Sequence, residues 1–118
     1  MGSVCDVSAN QTNPPPAPEV STEDLAGALD SGAYVLDVRR AEEYAEKHIP
    51  GVVLIPLDEL GARVDEVPAD RPVWVVCAAG ARSLNAATAL RGAGIDAVSV
   101  AGGTNKWVEE GRPFETGS

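Results

Sequence analysis

Short, almost wholly apolar runs alternate along this chain with stretches whose apolar residues recur every three or four positions. Tyr34-Val35-Leu36-Asp37-Val38, Val52-Val53-Leu54-Ile55, Val73-Trp74-Val75-Val76 and Ala97-Val98-Ser99-Val100 are runs of the first kind. Continuous apolarity, in place of a strict in-out alternation, predicts strands covered on both faces. Between the strands, Leu25 and Leu29 follow Ser21-Thr22-Glu23-Asp24, which offers a helix cap with an acidic residue three positions on, and Gly32 closes the segment. Arg40 to Lys47 predicts a second helix that stops at Ile49-Pro50-Gly51, and Leu57 to Val64 a third carrying Leu57, Leu60 and Val64. Leu84, Ala87 and Leu90 place a fourth over Arg82 to Arg91, closed by Gly92 and Gly94, and a last helix covers Thr104 to Glu110. Strands alternating with helices predict an α/β domain of three layers, a mainly parallel sheet with helices on both faces joined by right-handed crossovers. Residues 1–18 end in Asn13-Pro14-Pro15-Pro16-Ala17-Pro18 and are expected to be a flexible, proline-rich tail. The domain is expected over residues 19–118.

A length of 118 residues suits one such domain. Aromatic residues make up 4% of the chain, so Val, Leu, Ile and Ala must fill the interior. A net charge of −9 repels nucleic acid and anionic membranes, and neither is an expected partner. It also means that any anion site must be built locally, from backbone amides and a few Arg side chains. Cys5, Cys77 and the single histidine, His48, form no metal-ligand cluster, so no metal is expected. The N-terminus lacks a basic start followed by an apolar run, and no apolar run approaches the roughly 20 residues that cross a bilayer. Both features point to a cytoplasmic protein with reduced thiols.

Open parallel sheets bind ligands beyond the carboxyl ends of their strands. Cys77 stands there, after the most apolar strand and before a loop that opens a helix. Such a junction points backbone N–H groups and the positive end of a helix dipole into one concavity, which stabilises an anion such as a cysteine thiolate. Ala78, Ala79, Gly80 and Ala81 are small enough to let their amides close round the sulfur, and Arg82 adds a positive charge. A cysteine in this place also fits as a small core residue. A core role, however, does not call for the glycine, the Arg82-Ser83 helix start or the polar residues ending neighbouring strands.

Cys77-x-x-Gly80-x-Arg82-Ser83 resembles the active-site loop of the rhodanese family. Asp37-Val38-Arg39 with Glu42-Glu43-Tyr44, the turn His48-Ile49-Pro50-Gly51, and Gly102-Gly103, Trp107, Gly111 and Pro113 resemble further motifs of that family, in the same order. The resemblance implies a rhodanese-like fold and a sulfurtransferase. Cys77 would take a sulfane sulfur from a donor such as thiosulfate, carry it as a persulfide and pass it to a thiol, to cyanide or to a sulfur-carrier protein. No organic cofactor is implied. The amides and side chains of Ala78, Ala79, Gly80, Ala81, Arg82 and Ser83 would bind the anionic sulfur. Phosphatases and arsenate reductases that share the fold usually place five residues between Cys and Arg. Four stand here, a cradle better sized for one sulfur atom than for a tetrahedral oxyanion.

Asp37, Arg39 and Glu43 are supporting residues in this reading, an ion-pair network in preference to a donor-binding site. His48 is expected to hydrogen-bond within its turn, and Trp74 and Trp107 to pack, with the mouth of the pocket a second place for Trp107. Cys5 is read as incidental. A loop with Arg82 alone among alanines implies weak thiosulfate turnover and keeps open a second class of function, a rhodanese-like module that binds or regulates without catalysis.

Overall fold

The structure is a computed structural model and describes residues 16–117. Five strands, β1 (Glu19–Val20), β2 (Tyr34–Asp37), β3 (Val53–Leu54), β4 (Val73–Val76) and β5 (Ala97–Val100), form one sheet in the order β1-β5-β4-β2-β3 with every pair parallel. The helices are α1 (Thr22–Asp30), α2 (Ala41–Glu46), α3 (Leu57–Leu60), α4 (Ala81–Gly92) and α5 (Gly103–Glu109). Successive side chains of a strand point to opposite faces, and the two halves of the core divide on that parity. Leu36, Val73, Val75 and Cys77 pack beneath α3 and α4 with Ile55, Leu60, Ala86, Ala87 and Leu90. Val35, Val76 and Val100 face the other way, towards Leu25 of α1, Trp107 of α5 and, through Tyr44, α2. Because both faces are covered, no strand needs a polar side, which explains the continuous apolar runs.

Local chemistry sets the helix ends. Ser21 accepts the Asp24 N–H at 3.0 Å while Asp24 accepts the Ser21 N–H at 3.4 Å, so the expected cap of α1 forms in both directions. The helix expected over Leu57 to Val64 is instead two pieces. α3 stops at Leu60, the chain turns through Gly61, and a 3-10 turn follows over Val64–Glu66. Arg63 lies between them and bonds Glu59 and Glu66 at 2.9–3.0 Å, so its side chain holds the turn closed where a regular helix would have run on.

Order begins before Glu19. Ala17 is buried and its N–H meets the Thr88 hydroxyl of α4 at 3.0 Å, while the Pro18 carbonyl accepts from Ser99 at 2.9 Å. These contacts seat β1 on the edge of β5. Cys5 and most of the expected tail lie outside the described residues. Among the described residues no helix is long and apolar enough to cross a membrane.

The strand order decides where ligands can bind. β2 and β4 are neighbours in register, with Asp37 opposite Val76, yet the helices that follow them leave for opposite faces, α2 with the Trp107 side of the core and α4 with the Leu36 side. Adjacent strands whose connections diverge in this way open a crevice at their carboxyl ends. Asp37, Arg39 and Cys77 stand at that crevice.

Candidate active site

The chain leaves β4 at Val76, and the next four residues turn it into α4. Gly80 makes the turn at φ +110°, a left-handed conformation open to glycine at little cost, and a Cβ there would press on the Gly102 amide at 3.3 Å. The turn aims the Gly80 N–H at Cys77 Sγ, 3.0 Å away, and the thiol in turn donates to Ser83 Oγ at 3.4 Å. Cys77, Gly80 and Ser83 are buried, Ala78 and Arg82 half-buried, and Ala79 and Ala81 exposed. The sulfur is thus held from inside the loop, with small side chains outside it.

A second loop pins the first. Gly102 and Gly103 both have positive φ and bring the start of α5 under the Cys77 loop, where the Thr104 and Asn105 amides donate to the Cys77 and Ala78 carbonyls at 2.8 and 2.9 Å. Those carbonyls are turned away from the sulfur by this pairing, which leaves the N–H side of the loop facing it.

The three supporting residues form two ion pairs. Arg39 lies along the Asp37 carboxylate with contacts of 2.8–3.1 Å, both side chains buried, and its guanidinium also reaches the carbonyls of Glu43 and Lys47. It ties the end of β2 to both ends of α2's last turn. Each of its three nitrogens therefore donates to a protein group. Glu43 is bound by Arg82 through two parallel bonds of 2.8 and 2.9 Å. This pair joins α2 to the start of α4. Arg82, the cation that the sequence assigned to the bound anion, spends its planar fork on a carboxylate. Glu43 lines a cleft of about 310 Å³ towards α5, and Arg82 a second of about 440 Å³ with Val38, Arg40, Leu57 and Asp58.

The bond from Arg82 holds the Glu43 carboxyl down to about 2, and the Arg82 guanidinium is raised in return, by that bond first and in smaller part by the charges of Cys77 and Asp37. A carboxyl whose folded value is depressed adds stability above its ordinary value of 4.5 and loses it as pH falls towards 2. The difference in urea midpoint between the wild type and Glu43→Gln is accordingly expected to be present at pH 6 and to close between about pH 4.5 and 2. A difference that stays constant with pH would remove the ion pair from the stability of this crevice.

Residues outside the crevice behave as packing groups. His48 is buried and stacks on Tyr44 with ring centroids 3.7 Å apart, its Nδ1 lies 2.8 Å from the Tyr44 carbonyl, and its backbone bridges to Glu115. Trp107 lies in the core beside Leu25 and donates from its ring nitrogen to the Pro113 carbonyl at 2.6 Å, under the Arg112 guanidinium. It walls a different hollow, with Leu29 and Pro50, and does not stand at the mouth of the Cys77 loop. One polar residue at the site was not singled out from the sequence. Ser99 of β5 is fully buried with its Oγ 2.8 Å from that of Ser83. The available signal was a single hydroxyl in the run Ala97-Val98-Ser99-Val100, on the inward parity.

The family described as Rhodanese-like domain matches residues 21–110. A putative sulfurtransferase of Bacillus subtilis, YtwF, is 33% identical over 97 residues, which are 80% of this chain and 94% of that protein. The thiosulfate sulfurtransferase GlpE of Actinobacillus pleuropneumoniae is 36% identical, with 74% and 82% covered. A putative sulfur carrier protein of B. subtilis, YrkF, is 39% identical over 76% of this chain, and the match spans half of that longer protein. Among solved structures, a rhodanese-related protein of Thermoplasma volcanium superposes with a TM-score of 0.78 at 33% identity, covering 83% of this chain and 97% of that one. A rhodanese-like domain protein of Staphylococcus aureus gives 0.77 at 34%, with 86% and 99% covered.

Proposed function

Because the chain belongs to the rhodanese-like family, we propose that it is a sulfurtransferase that carries a sulfane sulfur as a persulfide on Cys77. The observation that carries this reading is the setting of Sγ, which accepts the Gly80 N–H at 3.0 Å at the start of a helix of 12 residues. The N–H and the helix start beside it form a preformed cradle for a negative charge on sulfur, and a thiolate is the reactive form of the nucleophile.

In the first half-reaction the Cys77 thiolate attacks the outer sulfur of the donor. The new S–S bond forms as the old one breaks, and the departing group leaves with the electron pair, as sulfite from thiosulfate or as a thiolate from a low-molecular-weight persulfide. In the second, the acceptor's nucleophile, a thiolate or cyanide, attacks the terminal sulfur and Cys77 leaves as the thiolate again. The amides of Ala78 to Ser83 hold the negative charge at each stage, and no electron is gained or lost overall. With Arg82 bound to Glu43, backbone N–H groups carry that duty and favour a charge localised on one sulfur over a whole sulfonate. Persulfide donors are accordingly the better substrates and thiosulfate the poorer. The acceptor class includes a sulfur-carrier protein, in keeping with the name of the relative YrkF.

Intact-mass spectrometry after incubation with thiosulfate, glutathione persulfide and a cysteine desulfurase tests the reading. A gain of about 32 Da on the Cys77 peptide, removed by cyanide, is expected. A folded protein that gains no sulfur from any of the three would favour the competing reading, a binding module, which draws on the near-complete burial of Cys77, 1% exposed.

A further inference from the structure

A hydroxyl carries one proton and two lone pairs, so the partners of a buried serine can be fully assigned. Ser83 Oγ has three: the Gly80 carbonyl at 3.1 Å, Ser99 Oγ at 2.8 Å and Cys77 Sγ at 3.4 Å. A carbonyl cannot donate, so the Ser83 proton goes to it. Both lone pairs of Ser83 then accept, one from the Ser99 hydroxyl and one from the thiol. Ser99 is therefore the donor of the pair.

Loss of the thiol proton changes the assignment. A thiolate can accept but not donate, and Ser83 can meet it by turning its proton from the Gly80 carbonyl to Sγ. That carbonyl keeps the Leu84 N–H at 3.1 Å and is not left unpaired. Ser99 still donates to Ser83 in the new arrangement, where its proton polarises the Ser83 hydroxyl and strengthens the bond to sulfur. From this hydrogen bookkeeping we infer that Ser99 is a positioning residue of the active site, orienting the Ser83 hydroxyl so that it can turn its proton onto the sulfur of Cys77. The inference rests on Cys77 as the nucleophile. It adds a member of the machinery that touches neither donor nor acceptor.

The charged groups around the sulfur are Arg82 of α4, its partner Glu43 of α2, and the Asp37–Arg39 pair at the end of β2, while Lys106 of α5 packs beside Gly102. None of them contributes a bond to the Ser83–Ser99 pair among the described residues, so substitution at Ser99 leaves the charge map unchanged. A change in Cys77 reactivity then reports the hydroxyls.

The test is the pH dependence of iodoacetamide alkylation, followed on the Cys77 peptide of the full chain. Ser99→Ala is expected to lower the rate at pH 7 about threefold and to move the inflection of the profile up by about half a unit, the size of one modest neutral hydrogen bond. Ser99→Thr keeps the hydroxyl and is expected to retain the wild-type profile. In a Ser83→Ala background, Ser99→Ala is expected to move the profile no further. An unchanged profile in Ser99→Ala, with or without a lower urea midpoint, would make Ser99 a packing residue and overturn the inference. So would an equal shift in the Ser83→Ala background, or a Thr profile displaced as far as the Ala one. Alkylation needs no sulfur donor, so failure here is distinct from failure to form the persulfide.

Discussion

Cys77→Ser is expected to abolish the gain of about 32 Da with every donor and to reduce thiocyanate release to the background of the buffer, while leaving the protein folded. A serine hydroxyl keeps its proton throughout the accessible pH range, whereas a thiol is by far the stronger acid, and the reaction needs the anion as nucleophile. Oxygen is also the smaller atom. Ser83 Oγ, already 3.4 Å from sulfur, would lie beyond good bonding distance of a serine oxygen on the same bond direction. The loss of packing and hydrogen bonding at this fully covered position is expected to cost about 1 kcal/mol, read as a modest shift in urea midpoint. Thiocyanate release by Cys77→Ser at the wild-type rate would show that another group carries the sulfur.

Gly103→Ala is expected to be the most damaging substitution outside Cys77. Gly103 has φ +56°, and a Cβ there would run into the carbonyl of Cys77 and stand 2.7 Å from that of Ala78. Both obstacles are backbone, which cannot swing aside as a side chain can. The same carbonyls are the acceptors of the Thr104 and Asn105 amides, so any retreat of α5 also breaks the bonds that hold the Cys77 loop. A left-handed alanine costs about 1–2 kcal/mol before any clash, and with the displaced loop a loss of about 2–4 kcal/mol is expected, together with most of the rate of persulfide formation. Gly94→Ala is the control. Gly94 has φ +88° with open space around the position a Cβ would take, so the backbone term stands alone there. Equal unfolding midpoints for the two variants would mean that contact between α5 and the loop contributes nothing.

Much of this was legible because it is local. Apolar runs, helical periodicity and the cap at Ser21 depend on residues a few positions apart, and four of the five strands fall where the pattern puts them. β1 was missed because Glu19–Val20 has no periodicity to show. It exists because the edge of β5 offers unpaired amides, at Ser99 and Ala101, to whatever chain passes. The expected helix over Leu57 to Val64 failed for a related reason, since the spacing of Leu57, Leu60 and Val64 suits a helix but equally suits two turns parted at Arg63. In the site, Cys77 and its loop were legible as a motif. The engagement of Arg82 by Glu43, 39 positions away, was not, and a free cation was expected where an occupied one stands.

The sequence by itself therefore determined the alternation of strand and helix, the aliphatic core and the loop that bears Cys77, for each is written in neighbouring residues. Only the tertiary structure decided that β4 lies between β2 and β5. That order sets Glu43 against Arg82, Ser99 beside Ser83 and Gly103 beneath Cys77. Each of these contacts joins different elements, and strand order is selected by how whole faces pack, a property that no local window of the chain contains.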